Sequence, residues 1–441
     1  MLMWWSMLAV AGPTPEALLA QGMAAQRSGD VAAAKTAYQA CLAADASFVP
    51  CHWELGWSYW TENDWANVVK HWEQVKALDP AHAEVDQRLA TARGHLASLA
   101  TIKAGASGAP DSVRAPLPSG KTVRLRAVGD LMMGTDFPAG FLPPDDGATV
   151  LAGVYGLLND ADVTFGNLEG PLCDGGSTNK CQPGENCYAF RTPTSYGAWL
   201  KKAGFDLLST ANNHAEDFGE TCRDQTEQTL NALGIAHSGR PGTIATVEHD
   251  GIRIGMIGFH TSRSGHYLND HETAAALIRG VAANHDLVIV SFHGGAEGAK
   301  NLHVPDHEEK FYSENRGHLR KFARVAIEAG ADLVLGHGPH VPRGMELVDG
   351  HLVAYSLGNF ATYGRFNLSG HLSTSLVLEA TLDHEGRLVS GRILPIRLEG
   401  EGIPMPDAEH TAVDLIRSLS DEDFGARAPV IAKDGTFAPR P

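Results

Sequence analysis

Five polar clusters in this sequence each follow a short apolar run and carry side chains that can bind a cation. In chain order they are Asp130, Asn167 to Glu169, Asn212 to His214, His293, and His337 to His340. The apolar runs read as buried strands, and the carboxyl ends of parallel strands converge on one crevice in α/β folds. Carboxylates, amides and imidazoles gathered there would form a metal site of mixed oxygen and nitrogen ligands. The sequence therefore predicts a divalent metal ion held by several separate segments.

The cluster that ends in His214 carries the most specific chemistry. Two asparagines and a histidine at a strand end are costly to bury without partners, so His214 is a candidate ligand or a phosphate-facing acid. Asp217 could hold the other ring nitrogen of His214, as carboxylates behind metal-site histidines do. Asn167 and Glu169 are two residues apart, so in an extended chain both face the same side.

The remaining histidines are weaker candidates when each is taken alone. An irregular loop can direct His337 and His340, which are three residues apart, to one centre. His293 follows a very apolar run, and His260 ends another run, which makes His260 a candidate for the rim of the site. An ordinary polar turn is the competing interpretation for each cluster, and their joint occurrence at successive strand ends favours the metal site.

Composition and missing motifs exclude several functions. The chain has 441 residues and a net charge of −17, and this charge disfavours non-specific nucleic-acid binding because phosphates demand a basic patch. No Gly-x-Ser-x-Gly elbow, Walker phosphate loop or dinucleotide fingerprint is present, which disfavours serine hydrolases and nucleotide-binding folds of those types.

The first hundred residues contain an internal repeat. Gly22 recurs as Gly56 and Tyr38 as Trp72, each at an offset of 34 residues. This period resembles tetratricopeptide repeats and predicts an all-α domain over residues 13–100, with a third helix at 83–99. Such arrays bind protein partners on a concave face. Residues 101–121, rich in Gly, Ala, Ser and Pro, read as a linker. Residues 1–12 fit either an export signal or a frayed N-terminus.

From residue 122 onward, strands and helices alternate, which predicts a largely parallel sheet covered by helices over residues 122–400. The helix candidates are 148–159, 195–203, 222–233, 272–283 and 308–329. The strand candidates 345–348, 352–355, 376–382 and 387–397 lack intervening helices and read as antiparallel, in a second sheet. Residues 401–441 are predicted to form one helix and a loosely held tail.

The six cysteines favour disulfides and an oxidising compartment. Cys41 and Cys51 form a local pair, whereas Cys173, Cys181, Cys187 and Cys222 allow three pairings. A zinc site is the alternative, but the spacing lacks any Cys-x-x-Cys pair.

Six motifs in order over about residues 123–398 resemble the CapA family of bacterial capsule and poly-γ-glutamate biosynthesis proteins. They are Val128 to Met132, Gly166 to Glu169, Ala211 to His214 with Asp217 to Gly219, Ser291 to Gly295, Gly336 to Val341 and Tyr355 to Phe360. That family is similar to calcineurin-like metallophosphoesterases, and the resemblance implies a four-layer α/β/β/α sandwich with a metal centre at the strand ends.

The motifs and the resemblance together give a set of site residues. The predicted catalytic residues are His214 and Asp217; the predicted metal ligands are Asp130, Glu169, Asn213, His293, His337 and His340; the predicted substrate-binding residues are Asn167, Asn212, His260 and Asn359. Two positions depart from the metallophosphoesterase pattern, because Met132 and Gly338 stand where histidines are usual. The number of metal ions, one or two, is therefore left open, and Mn, Zn and Fe all suit the donors.

The favoured functional hypothesis is a metal-dependent, phosphoesterase-like hydrolase of capsule or poly-γ-glutamate biosynthesis, located outside the cytoplasm. A bound cation would lower the pKa of a water to about 7 and polarise a phosphoryl or acyl oxygen. The expected partners are an anionic polymer or phosphoester substrate, a protein docked on the repeats, and a membrane-associated complex. The alternatives are a non-catalytic polymer-binding factor for assembly or export, and an intracellular phosphatase with free thiols.

Overall fold

A computed structural model describes residues 12–106, 120–178, 180–181 and 187–441. The chain forms two compact units, Met1–Leu99 and Ala100–Pro441. The predicted export signal lies outside the described residues except for Gly12, as does most of the predicted linker. None of the described helices is both long and apolar enough to cross a bilayer.

The first unit is a stack of antiparallel helices that confirms the helical repeat. Its helices are α1 (Pro15–Arg27), α2 (Val31–Ala44), α3 (Val49–Trp60), α4 (Trp65–Leu78) and α5 (Val85–Ala106). Asp30 and Asp64, also 34 residues apart, cap α2 and α4 by accepting hydrogen bonds from backbone N–H groups. The last helix extends to Ala106, so the predicted linker begins later than residue 101.

The repeat has a steric cause. A Cβ atom at Gly22 would overlap the ring of Tyr38, and one at Gly56 would overlap the ring of Trp72. Each glycine therefore lets a large aromatic side chain lie directly against the preceding helix. Both rings are fully buried, so these aromatic residues pack between helices.

A partly buried histidine pair joins α3 to α4. The Nδ1 atoms of His52 and His71 lie 3.0 Å apart, and Nε2 of His52 donates to the carbonyl of Ala46 at 3.0 Å. Since Nε2 of His52 carries the proton, its Nδ1 accepts from His71. Burial, together with the neighbouring His52, lowers the pKa of His71 to about 4.

The described residues of the second unit form two large sheets and one two-stranded hairpin. The strands are β1 (Val123–Met132), β2 (Val163–Leu168), β3 (Leu207–Ser209), β4 (Ala236–Ser238), β5 (Ala245–His249), β6 (Ile252–His260), β7 (His266–Tyr267), β8 (Leu287–His293), β9 (Glu309–Phe311), β10 (Glu314–Gly317), β11 (Leu333–His337), β12 (Met345–Val348), β13 (His351–Ala354), β14 (Asn359–Thr362), β15 (Thr374–Leu382), β16 (Leu388–Glu399), β17 (Ile403–Pro406), β18 (Val430–Ile431) and β19 (Thr436–Ala438). The helices are α6 (Tyr155–Leu158), α7 (Gly197–Lys202), α8 (Gly219–Ala232), α9 (His271–Ala282), α10 (Leu319–Glu328) and α11 (Thr411–Phe424).

The first sheet has the order β18-β19-β16-β15-β1-β2-β3-β4, and the second has the order β12-β13-β11-β8-β6-β5. In the first sheet β1 pairs in parallel with β2 on one side. On its other side it pairs with β15 in antiparallel fashion along its first half and with β14 in parallel at its end. In the second sheet β6, β8, β11 and β13 run parallel.

The two sheets pack face to face, with helices outside. Leu125 of β1 and Ile289 of β8 belong to one buried apolar core between the sheets. On the outer face of the first sheet, Leu200 of α7 packs in a second core with residues of β1 and β3. On the outer face of the second, Phe322 of α10 contacts Phe259 and Phe292. The predicted four-layer α/β/β/α arrangement is confirmed.

Four predictions differ from the structure. The strands expected together in a second sheet are divided, because β12 and β13 lie in the second sheet whereas β15 and β16 lie in the first. The helix expected at 308–329 begins only at Leu319, because 309–317 forms the hairpin β9–β10, with Tyr312 and Gly317 at positive φ. The helix expected at 148–159 is reduced to short turns and α6. The tail expected to be loose is held, because β19 pairs with β16 and Phe437 is buried.

The six cysteines form three disulfides, which contradicts the zinc alternative. The pairs are Cys41–Cys51, Cys173–Cys222 and Cys181–Cys187. The second bridge ties the segment after β2 to α8, and the third lies beside the site described next.

Candidate metal centre and active site

The carboxyl ends of strands in both sheets deliver the predicted side chains to one place. Asp130 lies on β1, Asn167 on β2, His293 on β8 and His337 on β11, while Glu169 directly follows β2. The pairing of β1 with β2 sets Asp130 opposite Asn167, and the pairing of β8 with β11 sets His293 opposite His337. The register of two sheets therefore brings together residues that are far apart in the chain.

Glu169 is the centre of the cluster. Its Oε1 atom lies 3.9 Å from Nε2 of His293, 3.9 Å from Nε2 of His340 and 4.0 Å from Nε2 of His214. These separations are too long for hydrogen bonds. They do not exceed about twice the bond length between a transition metal and a nitrogen or oxygen ligand, which is the greatest separation that two ligands of one cation can have, so they are compatible with a cation among these atoms. Asp130, Glu169 and His340 each offer a ligand atom, all within 4.8 Å of one another.

Asp130 is fully buried and held by three neighbours. Its Oδ1 accepts a hydrogen bond from Nδ2 of Asn167 at 2.8 Å and lies 3.5 Å from Nδ1 of His337, while its Oδ2 lies 3.0 Å from Nδ1 of His340. Burial alone would raise the pKa of Asp130, but the two imidazoles beside it lower that pKa below its usual range. Asp130 is therefore ionised, as a metal ligand must be.

Several buried atoms of the cluster have no hydrogen-bond partner among the described residues. Both carboxylate oxygens of Glu169, both ring nitrogens of His293, both ring nitrogens of His337 and Oδ1 of Asn213 are in this state. Buried polar groups in proteins are almost always paired, so this concentration of unpaired donors and acceptors requires an explanation. A divalent cation would satisfy the carboxylate oxygens and imidazole nitrogens together. The residues thus fit a metal ion.

The pKa shifts in the cluster follow from burial and charge. Burial, reinforced by the negative charge of Asp130, raises the pKa of Glu169 to about 8. Burial and the positive charge of Arg316 lower the pKa of His293 well below its usual value. His293 is therefore neutral, which leaves a nitrogen lone pair free to coordinate. Glu169 needs a nearby cation to stay ionised at neutral pH.

Asp217 holds a ring nitrogen of His214, as the sequence predicts. Nδ1 of His214 lies 2.6 Å from Oδ2 of Asp217, which also accepts from the backbone N–H of Phe190. Since the aspartate accepts, Nδ1 of His214 donates and its Nε2 points toward Glu169. Lys180 donates to the other oxygen of Asp217 at 2.5 Å. Burial lowers the pKa of His214, an effect that Asp217 opposes.

Tight backbone contacts fix the loops that carry the ligands. A Cβ at Gly129 would overlap the carbonyl oxygen of Gly358, which accepts from the N–H of Asp130 at 2.9 Å. Gly338, at φ +111°, lies against the backbone of Gly294 in the same way. His340 has φ +61°, a costly conformation for a residue other than glycine that concentrates at functional sites.

Of the four predicted substrate-binding residues, only Asn359 lines the cavity beside the cluster. The side-chain amides of Asn167 and Asn212 are buried and donate within the protein, to Asp130 and to the carbonyl of Leu168. His260 lies behind His293, with ring centroids 5.7 Å apart. Direct contact of these three residues with a substrate stays a prediction, and in the structure they support the cluster from behind.

The cavity has a volume of about 690 Å³ and is lined by His214, His340 and Asn213 on the side of the cluster. The sequence did not point to its cationic residues, Lys180, Arg316 and Arg365. Each lies in a loop or hairpin without a recognisable motif, so a basic residue there has no sequence signal of its own.

Comparisons with known proteins find a match to one protein family within the second unit. A family model described as "Bacterial capsule synthesis protein PGA_cap" matches residues 124–363, a range that contains every predicted site residue. The solved structure of purple acid phosphatase PPD1 from yellow lupin covers 67% of this chain and 56% of its own at 11% identity, with a TM-score of 0.31. That likeness is too weak to support an argument.

Curated relatives are more informative. The PGA biosynthesis protein CapA of Bacillus subtilis is 27% identical over 251 residues, covering 53% of this chain and 61% of the relative. The capsule biosynthesis protein CapA of Bacillus anthracis is 24% identical over 267 residues, covering 54% and 59%. A probable polyglutamine synthesis accessory protein of Mycobacterium tuberculosis is 27% identical over 224 residues, covering 44% and 55%. The chain thus spans about three fifths of the length of these relatives.

Proposed function

Because this chain belongs to the family of bacterial capsule synthesis proteins, we propose that it acts in capsule or poly-γ-glutamate biosynthesis through a metal-dependent, phosphoesterase-like hydrolase site. One observation carries the proposal. Three imidazole Nε2 atoms surround one carboxylate oxygen of Glu169 at 3.9 to 4.0 Å. Both oxygens of that carboxylate are buried, and neither has a hydrogen-bond partner in the part of the chain that the structure describes. A site built only for stability would pair these groups.

Asp130, Glu169, His293 and His340 would hold the metal ion, with Asn213 and His337 as further ligand candidates. Mn, Zn or Fe suits this mixture of carboxylate and imidazole donors. The chemistry that such a cation supplies is Lewis acidity, which polarises a phosphoryl or acyl oxygen. The positive backbone φ of His340 and the contact between Gly338 and Gly294 support the site by fixing the ligand loops before any cation binds.

His214 would move the proton in the reaction. Its Nδ1–H is held by Asp217 at 2.6 Å, so Nε2 is the atom that can take up a proton and pass it to the leaving oxygen. The negative charge of Asp217 stabilises the imidazolium form that this transfer requires. Burial, which lowers the pKa of His214, makes that imidazolium a stronger acid. General acid–base catalysis of this kind contributes about 10²- to 10⁴-fold to a rate.

The test is turnover of bis(p-nitrophenyl) phosphate by the full chain loaded with Mn²⁺ or Zn²⁺. We expect His214→Asn to lower kcat by about 10²-fold or more while the bound metal, measured by mass spectrometry, stays at the wild-type level. His237→Asn is the matched control, because His237 bonds to Asn231 away from the cavity and should leave kcat unchanged. Protein that is metal-loaded but inert toward phosphodiesters would reject the hydrolase assignment.

A non-catalytic polymer-binding role in assembly or export is the second candidate, and Met132 favours it. This residue stands where metallophosphoesterases usually have a histidine ligand, and its side chain is fully buried against the position of Gly170. The missing imidazole reduces the number of ligands for a second cation. Protein that binds an anionic polymer, with or without metal, and shows no turnover would support this role.

The remaining parts of the proposal concern location and partners. Three disulfides suit an oxidising compartment, which favours a site outside the cytoplasm and disfavours the intracellular phosphatase. The helical repeats would dock a protein partner, as such arrays do, and that partner could place the chain in a membrane-associated complex. The substrate would be an anionic polymer or a phosphoester.

A further inference from the structure

Among the described residues that line the cavity beside the metal cluster, one basic side chain has no carboxylate partner. Two of the three basic side chains that line it are paired: Lys180 with Asp217 at 2.5 Å and Arg316 with Glu297 at 3.1 Å. For Arg365 no carboxylate of the described residues lies within 4.0 Å.

Arg365 is held firmly although it lacks an acidic partner. Its guanidinium lies 5.1 Å from the ring centroid of Phe141 and 5.0 Å from that of Tyr188, contacts that orient a planar cation. Its Nη2 donates to the carbonyl of Cys187 at 3.0 Å. The other N–H groups have no protein acceptor among the described residues. A guanidinium carries five N–H donors, so most of its capacity is available to a ligand.

The position of Arg365 is tied to the metal cluster. The next residue, Phe366, has its ring centroid 5.5 Å from that of His340 and 5.3 Å from that of Phe190. Phe190 in turn contacts His214 at 4.3 Å. Arg365 therefore lies at the outer wall of the same cavity, fixed by packing to the two histidines that border it. Tyr188, which is 42% exposed, borders the open side.

We propose that Arg365, held between Phe141 and Tyr188, is an anion-binding subsite that recognises a carboxylate or phosphate group of the ligand at a distance from the reacting bond. The proposal rests on the proposed function for the identity of the reacting centre, and it adds a specificity-determining residue to that centre. A planar guanidinium binds both oxyanions through two parallel N–H bonds. A ligand that satisfies the site carries at least two groups, one for the metal cluster and one oxyanion for Arg365.

The test measures binding by metal-free protein, so that it needs no turnover. The probes are a γ-linked triglutamate peptide for carboxylate and phenyl phosphate for phosphate, each titrated by calorimetry. Arg365→Met should weaken the binding of at least one probe by about tenfold or more, as the loss of charge-assisted hydrogen bonds does. The probe that is affected identifies the oxyanion.

Two further variants make the result specific. Arg365→Lys keeps the charge without the planar fork, so its affinity for the probes should lie between those of wild type and Arg365→Met. An intermediate affinity would show that the loss in Arg365→Met is not merely a folding defect. Arg263→Met is the matched control, because Arg263 also stacks on a tyrosine, at 4.5 Å from Tyr267, but does not line the cavity.

Wild-type protein that binds neither probe, or Arg365→Met protein that binds both as wild type does, would overturn the proposal. Protein that fails to hydrolyse phosphodiesters but loses probe binding in Arg365→Met would reject the hydrolase assignment and leave the subsite standing.

Discussion

Replacement of Glu169 by glutamine should stabilise the metal-free protein while destroying its response to metal. The carboxyl group of Glu169 is fully buried, and no described residue forms a hydrogen bond with its oxygens. Its pKa is raised from 4.5 to about 8. Between these two pH values the folded protein holds a proton that the unfolded chain releases, so the stability of the metal-free wild type falls as the pH rises.

The size of the effect follows from the two pKa values. At pH 7 the unfolded carboxyl is ionised and the folded one is not, which costs the folded state about 3 kcal/mol. Near pH 5 the cost is below about 1 kcal/mol by the same relation. Glutamine has nearly the same shape and no ionisation, so Glu169→Gln should exceed the wild type in stability by about 3 kcal/mol at pH 7 and by little at pH 5.

The assay is urea unfolding of metal-free protein at several pH values between 5 and 8, repeated with Mn²⁺. Metal at about one hundred times its dissociation constant should stabilise the wild type by about 3 kcal/mol and leave Glu169→Gln unchanged. Glu409→Gln, at an exposed position, is the control and should follow the wild type. If the stability difference between Glu169→Gln and wild type does not grow from pH 5 to pH 8, the ionisation argument is wrong.

Three further predictions follow from contacts described above. His293→Ala should lower the bound metal, measured by mass spectrometry, with little loss of fold; wild-type metal content would remove His293 from the site. Gly129→Ala should destabilise the protein by about 1–3 kcal/mol and weaken metal binding, because the new Cβ overlaps the carbonyl of Gly358. Gly156→Ala, where a Cβ meets nothing within 4 Å, is the control in urea unfolding, and equal losses for both variants would contradict the steric argument. Because the pKa of His71 is lowered to about 4, its contribution to stability is complete above about pH 6.5 and is lost as the pH falls toward 4. The free energy of unfolding of the helical unit should fall by about 1–2 kcal/mol over this range. Tryptophan fluorescence should therefore report unfolding at a lower urea concentration at low pH. His71→Asn protein with the same pH dependence would refute this.

Much of the α/β fold could be predicted because its central strands are buried on both faces. The segments that contain Leu287 to His293 and Leu333 to His337 are continuous apolar runs, which is typical of parallel strands inside a covered sheet. Each run ends at a polar residue, and the parallel arrangement brings these ends together. The gathering of Asp130 and His293 was therefore predictable from strand order.

The missed features depend on contacts that leave no periodic signal. The hairpin 309–317 is too polar to be recognised as two strands, and it is anchored by long-range partners such as the ion pair between Glu309 and Arg343. Likewise, the role proposed for Arg365 depends on the two rings and the cavity around it, which are formed by residues distant in sequence. Disulfide pairing was open for the same reason, since spacing alone fits all three connectivities.

The position of β1 has a consequence for how this chain reaches its native state. It opens the α/β unit, yet its neighbours β14 and β15 are more than 200 residues away in sequence. Until those segments have been synthesised, one edge of β1 presents unpaired N–H and C=O groups, the kind of edge that invites aggregation. Folding that depends on such distant pairing is slow, so we expect the second unit to need protection by chaperones while the helical unit, with its local contacts, folds at once.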